Sequence, residues 1–214
     1  MTDIAVIDYG MGNLRSVSQA LEYVAPGKTV TVTSDPEQIA AAERVVFPGQ
    51  GAMPDCMREL DARELRNAVI DAAADKPFLG ICIGLQLLFE HSEEGNAAGL
   101  GILPGKVKRF AAGMQDATGG KLKVPHMGWN QVYQQSQEHP LWRGIDSGER
   151  FYYVHSYYVE PAESGLIAGF SEYPVRFTSV VARDNIFAVQ FHPEKSHNAG
   201  LQLLSNFVQW NGRS

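Results

Sequence analysis

The sequence predicts an α/β fold with a mostly parallel central sheet, helices on both faces and an antiparallel extension. Three observations carry that prediction. Short apolar strand-like runs alternate with helix-like stretches through the first half of the chain. The second half is richer in β-formers and turns, and one strand runs straight into a helix through the pattern G-x-C-x-G. Strand–helix alternation of this kind builds parallel sheets with helices packed on each side.

Taken in order, Ile4–Ile7 is a short apolar run followed by a glycine-rich turn at Gly10 and Gly12 and a helical stretch around Leu14–Val24. Thr29–Thr33 is β-branched and reads as a strand. Arg44–Phe47 is another, ended by Pro48-Gly49. Leu60–Ala74 has apolar residues near i, i+3, i+4 spacing and predicts one helix. Pro77–Cys82 is a strand, and Leu85–Glu90 is expected to open a helix. Beyond that, Lys106–Phe110, Gln131–Tyr133, Phe151–His155, Leu166–Phe170, Ser179–Ala182 and Ile186–Phe191 read as strands extending the same sheet in antiparallel pairs. Ala111–Lys121 is expected to be an exposed loop. Leu201, Leu204 and Val208 share one helical stripe over Leu201–Trp210.

Composition bounds the function. The 214 residues are 44% hydrophobic and 20% charged, an ordinary globular balance. No repeat or linker divides them, so a single domain over residues 1–214 is expected. A net charge of -6 and the lack of a basic stripe argue against nucleic acid. No apolar run approaches the roughly 20 residues needed to span a bilayer. The N-terminal segment reads as the first strand rather than a signal peptide, which points to the cytosol. In a reducing compartment Cys56 and Cys82 are each a buried apolar residue or a reactive thiol, rather than a disulfide. Cys56 lies in a plain loop-to-helix stretch, Met53–Arg58.

Cys82 is different. In Pro77-Phe-Leu-Gly80-Ile-Cys82-Ile-Gly84-Leu-Gln86, a strand turns sharply into a helix with cysteine at the bend, the form of a nucleophile elbow. Gly80 and Gly84 leave room for close strand and helix neighbours. A thiol at a helix N-terminus or beside an imidazolium is converted readily to the nucleophilic thiolate. Alone, the pattern fits equally a cysteine that merely fills a tight junction.

A second element tips the balance. His192-Pro193-Glu194 follows the strand Ile186–Phe191, at the strand end where α/β proteins place their chemistry. Glu194 can orient one imidazole nitrogen while the other faces a sulfur. Of six histidines, His192 alone combines a strand end with a carboxylate two residues on; His155 and His126 are the next candidates for a base. The turn Phe47-Pro48-Gly49-Gln50-Gly51, with the N–H of Ile83, offers backbone donors for an oxyanion. Cys82, His192 and Glu194 therefore read as nucleophile, base and orienter of acyl transfer, and no metal-ligand spacing competes for them.

The combination G-I-C-I-G-L-Q with Q-F-H-P-E-K-S resembles the class I (triad) glutamine amidotransferases, and the resemblance covers essentially the whole chain. It implies the fold of that class and hydrolysis of the glutamine side-chain amide through a thioester on Cys82, with no cofactor. Within the class, D-Y-G-M-G-N-L-R-S (8–16), P-H-M-G-W-N (125–130) and F-Y-Y-V-H-S-Y (151–157) look like the glutaminase subunits of imidazole glycerol phosphate synthases. That resemblance implies a heterodimer with a (β/α)8 cyclase, which uses the ammonia on a ribonucleotide intermediate of histidine biosynthesis. It also implies glutamine contacts at Gly49, Gln86, Glu94, Ser156 and Tyr157, oxyanion donors at Gln50, Gly51 and Ile83, and partner contacts at Asn13, Trp129 and Lys195. Gln50 stands where a small aliphatic residue is expected, which bears on how easily that turn adopts an oxyanion-competent form.

Other readings remain at this point. The chain would serve anthranilate or guanylate synthesis if it belonged to another amidotransferase, although the 8–16 and 125–130 segments match the histidine-pathway subunit better. A regulatory subunit that kept the fold and lost catalysis would have no need of Cys82, and a stand-alone cysteine hydrolase acting on peptides would need no partner.

Overall fold

The computed structural model describes residues 2–115, 118–135 and 138–213. Its first half alternates as the sequence predicts: β1 (Ile4–Ile7), α1 (Leu14–Val24), β2 (Val30–Thr33), α2 (Pro36–Ala41), β3 (Arg44–Phe47), α3 (Met53–Ala62), α4 (Arg66–Asp75), β4 (Phe78–Ile81) and the single turn α5 (Ile83–Gln86). There follow β5 (Phe89–Ser92), β6 (Ala97–Ala98), β7 (Leu103–Arg109), β8 (His126–Gln134), β9 (Glu149–His155), β10 (Tyr157–Pro161), β11 (Ile167–Glu172), β12 (Arg176–Arg183), β13 (Ile186–Val189) and α6 (His197–Gln209).

β2, β1, β3, β4 and β13 lie side by side and parallel. Each of β1, β4 and β13 is buried along its whole length, as befits parallel strands covered on both faces. Alternate residues feed two apolar layers. Ala5, Ile7, Phe47 and Phe78 join Leu60 and Val69 of α3 and α4 on one side. Ile4, Val6, Leu79 and Phe187 join Val17 and Leu21 of α1 and Leu203 and Phe207 of α6 on the other. β12 turns the sheet antiparallel and is its branch point. It pairs with β13, touches β10 at Thr178, and carries β11. β10 continues to β7, then β5 and β6, while β11 continues to β8 and β9.

Two expectations about helices need correction. Leu60–Ala74 is not one helix. The chain breaks at Glu64, which adopts φ 58°, so that Leu65 can enter the core and donate its N–H to Leu60 O at 2.9 Å. Pro54, in the first turn of α3, suits an earlier start there than the sequence predicts. Nor does Leu85–Glu90 form a helix. After Gln86 the carbonyls of Leu87, Leu88 and Phe89 accept N–H groups from Leu100, Ile102, Leu103 and Gly101 at 2.8–3.2 Å, and that capture draws the chain into β5. A buried apolar run of this length suits either state, and the neighbour decides. The described part of Ala111–Lys121 lies outside helix and sheet, apart from one bridge between Gln115 and Lys121, and is largely exposed. No helix among the described residues is long and apolar enough to cross a membrane.

Candidate active site

The C-terminal ends of the parallel strands converge on one cavity of about 320 Å³. β4 ends on Cys82, whose backbone takes φ 57°, ψ -111°, a left-handed bend rare for a residue with a side chain. The bend is held from both sides. Cys82 N–H donates to Val189 O at 2.8 Å, and Cys82 O accepts from Leu85 N–H at 3.0 Å. The flanking glycines have a steric cause: a methyl on Gly84 would collide with the Phe47 carbonyl, and one on Gly80 would stand 2.9 Å from Ala188 Cβ. Both neighbours belong to adjacent strands. The G-x-C-x-G pattern is thus what lets an elbow fit between β3 and β13.

His192 sits just past β13 and is 5% exposed. Its Nδ1 meets Glu194 Oε1 at 2.9 Å, its own N–H donates to Tyr152 O at 2.9 Å, and Ser196 Oγ donates to its carbonyl at 2.6 Å. Pro193 opens the short helical turn that carries Glu194 back toward the ring. Nε2 has no hydrogen-bond partner among the described residues, and the ring shares the cavity with Cys82. Burial alone would hold the imidazole below its usual range. Its interactions with the neighbouring Cys82 sulfur and with the Glu194 carboxylate overcome it and push His192 up to about 10. A buried cation of this kind stabilises a thiolate beside it.

The two other histidines considered as bases are used up. His155 Nδ1 faces the Tyr157 carbonyl at 2.8 Å, which fixes a proton on that nitrogen. Its Nε2 must then accept from His126 Nδ1, 2.8 Å away, and His126 Nε2 in turn faces the Asn130 amide at 3.3 Å. Burial pushes His126 down to about 4 and His155 down to about 3, so both stay neutral. His155 lines the cavity, but neither of its ring nitrogens is free to act there.

Gln50 and Gly51 line the cavity with Cys82 and Ile83. The N–H groups of Gln50, Gly51 and Ile83 meet no acceptor among the described residues. Gly51 has φ 102°, a conformation that suits glycine. The preceding Gly49 does not line the cavity. It is buried, and a side chain there would strike the Tyr9 hydroxyl and Ile83. Cys56, on α3, donates its thiol to the Gln50 carbonyl at 3.5 Å. Because a trans peptide points C=O and the following N–H in opposite directions, that bond turns the Gly51 N–H away from Cys56. Sequence reasoning passed over Cys56, whose partner lies on the other side of the Ala52 helix start.

Gln86, Glu94, Ser156 and Tyr157 also line the cavity. Gln86 Nε2 donates to Tyr157 O at 3.1 Å and to Gln190 Oε1 at 2.9 Å. Glu94 Oε2 accepts the first N–H of α3, from Met53, at 2.8 Å. Among the described residues no group of three or more His, Cys, Asp and Glu could hold a metal ion.

The family model described as glutamine amidotransferase class-I matches residues 5–210. The chain is 69% identical over 98% of its length to the imidazole glycerol phosphate synthase subunit HisH of Aromatoleum aromaticum, 99% of which is covered. The HisH subunit of Nitrosospira multiformis matches at the same identity and coverage. This chain belongs to the HisH family of class-I glutamine amidotransferases. A crystal structure of a glutamine amidotransferase superposes with a TM-score of 0.70 at 14% identity, over 96% of this chain and 99% of that one, and shares the fold.

Of the remaining predicted residues of this amidotransferase, one lies at the cavity. Lys195 lines it and is exposed. Asn13, half-buried at the start of α1, makes no side-chain cap bond and does not line the cavity. Trp129 is 42% exposed on β8 and stacks on His197 with centroids 4.9 Å apart, and Met127 two residues earlier is 66% exposed.

Proposed function

We propose that this HisH-family chain hydrolyses glutamine at Cys82 and passes the ammonia to a (β/α)8 cyclase subunit, the pair forming the heterodimeric imidazole glycerol phosphate synthase of histidine biosynthesis in the cytoplasm. Residues 1–214 act as one amidotransferase domain. The observation that carries the reading is a cysteine on a strained strand end sharing a cavity with an imidazole already paired to a carboxylate, in a chain so similar to HisH subunits.

In this mechanism His192 and Cys82 form an imidazolium–thiolate pair. The Cys82 sulfur attacks the side-chain carbonyl carbon of glutamine, and the carbonyl electrons move to an oxyanion that the N–H groups of Ile83 and the Gln50–Gly51 turn receive. The oxyanion collapses, the C–N bond breaks, and ammonia leaves with a proton from His192. A γ-glutamyl thioester remains. Water gives a proton to His192 as it attacks the thioester, and glutamate leaves as the thiolate returns. Glu194 holds the imidazole in the tautomer that aims Nε2 at the sulfur. Gln86, Glu94, Ser156 and Tyr157, which line the cavity, hold glutamine, and Gly49 serves it from behind by shaping the Gln50–Gly51 turn; Asn13, Trp129 and Lys195 meet the cyclase.

Trapping tests the chemistry. Glutamine mixed with the heterodimer and quenched in acid should leave a glutamyl adduct that peptide mass spectrometry assigns to Cys82. An adduct on Cys56, or turnover retained by Cys82→Ala, would overturn the assignment.

A further inference from the structure

Gln190 breaks the pattern of its strand. It follows Ile186-Phe-Ala-Val189 and precedes Phe191, all buried, and it is itself 0% exposed. Burying a carboxamide is costly unless its ends are bonded. Both ends are. Oε1 accepts from Gln86 Nε2 at 2.9 Å, and Nε2 reaches the Cys82 sulfur at 3.8 Å. The polarity of this chain is fixed at its far end. Gln86 Nε2 also donates to the Tyr157 carbonyl, which is an acceptor only, so turning Gln86 round would set oxygen against oxygen and turning Gln190 alone would set donor against donor. Among the described residues Gln86 is left with one uncommitted polar atom, Oε1, which is neither bonded nor sealed in a side chain that lines the cavity.

We propose that Gln190 is a positioning residue for the reaction: its amide holds the Cys82 sulfur by a donated hydrogen bond and, through its oxygen, turns Gln86 so that an acceptor faces the substrate. This rests on the reading of Cys82 as the nucleophile. A donor directed at sulfur favours the thiolate over the thiol and restrains where the sulfur points. An acceptor at Gln86 suits a substrate group carrying N–H, and a carboxylate there would meet repulsion.

The test is the pH dependence of Cys82 alkylation by iodoacetamide in the full chain, read by peptide mass spectrometry so that Cys56 does not contribute. Gln190→Met and Gln190→Leu both keep the apolar volume and remove both polar ends; either one that melts cooperatively suffices. The acid limb of the profile should move up by about one pH unit, the usual size of a lost hydrogen bond to an anion. With the cyclase bound, kcat for glutamine should fall about tenfold, and KM should rise as Gln86 loses its orientation. A Gln190 that serves only to fill the core would lower the melting temperature and leave the limb where the parent has it, and that result overturns the proposal. The limb needs no glutamine hydrolysis. A shifted limb in a chain without turnover would therefore sink the amidase reading and leave Gln190 in its place.

Discussion

Cys82 holds a backbone conformation that costs a side-chain-bearing residue roughly 1–3 kcal/mol, and the surrounding chain must impose it. The imposing contacts are the β13 carbonyl that takes its N–H and the two glycines that let β3 and β13 close around it. Gly84→Ala is accordingly expected to destabilise by roughly 1–3 kcal/mol, because the new methyl meets the Phe47 carbonyl rather than a movable side chain. Urea melts measure it; an unchanged midpoint would mean that the elbow has slack. The residues proposed as catalytic should separate in severity. In the proposed mechanism Glu194, bonded to His192, acts on the reaction only through the orientation and charge of that imidazole. Glu194→Gln is expected to cost roughly one to two orders of magnitude less turnover than Cys82→Ser. Equal losses would count against the roles assigned.

β8 and β9 bring His126 and His155 together in a buried pair whose protons are fixed by Asn130 and Tyr157. His139, before the helical turn Pro140–Trp142, is pushed down to about 4 by burial as well. An unfolded histidine titrates near 6.5. Between about pH 4 and 6.5 the unfolded chain therefore takes up protons that these three folded histidines refuse, so their contribution to stability falls as pH drops through that window and is full above it. His192, raised to about 10, is protonated in both states through most of that window and opposes the trend only near and above 6.5, where one histidine against three leaves the sign unchanged between pH 5 and 7. The urea midpoint should be lower at pH 5 than at pH 7, and a midpoint that held or rose would contradict the neutral pair. The same elements show what the sequence can and cannot tell. β1, α1 and β3 fall on the predicted residues because glycine and proline turns bound them. The α3–α4 break is hidden, since its left-handed residue is glutamate and carries no turn signature. β5 is hidden because Leu87-Leu88-Phe89 looks helical until the 99–103 segment takes its carbonyls. Cys82, His192 and Glu194 were legible as local motifs. Gln190 and Cys56 were not, because their meaning comes from partners brought close only by the fold.

Across the whole molecule, the cavity opens at the ends of the parallel strands, and large apolar side chains are exposed on β8. Trp129 carries much of that exposed surface, and aromatic residues of this kind dominate binding at interfaces. Trp129→Ala should weaken cyclase binding by about 2 kcal/mol or more while leaving the Cys82 alkylation profile unchanged; calorimetric titration with the cyclase reads the first. Unaltered affinity would move the interface elsewhere. Under the proposed function this chain is a glutaminase whose activity belongs to an assembly. The most direct test is glutamate release from glutamine by the chain alone, and by the chain with a cognate cyclase subunit and its nucleotide ligand. The chain alone should show a low rate that rises strongly with the liganded partner. No hydrolysis in either condition, with the complex shown to form, would contradict it and leave a fold without its chemistry.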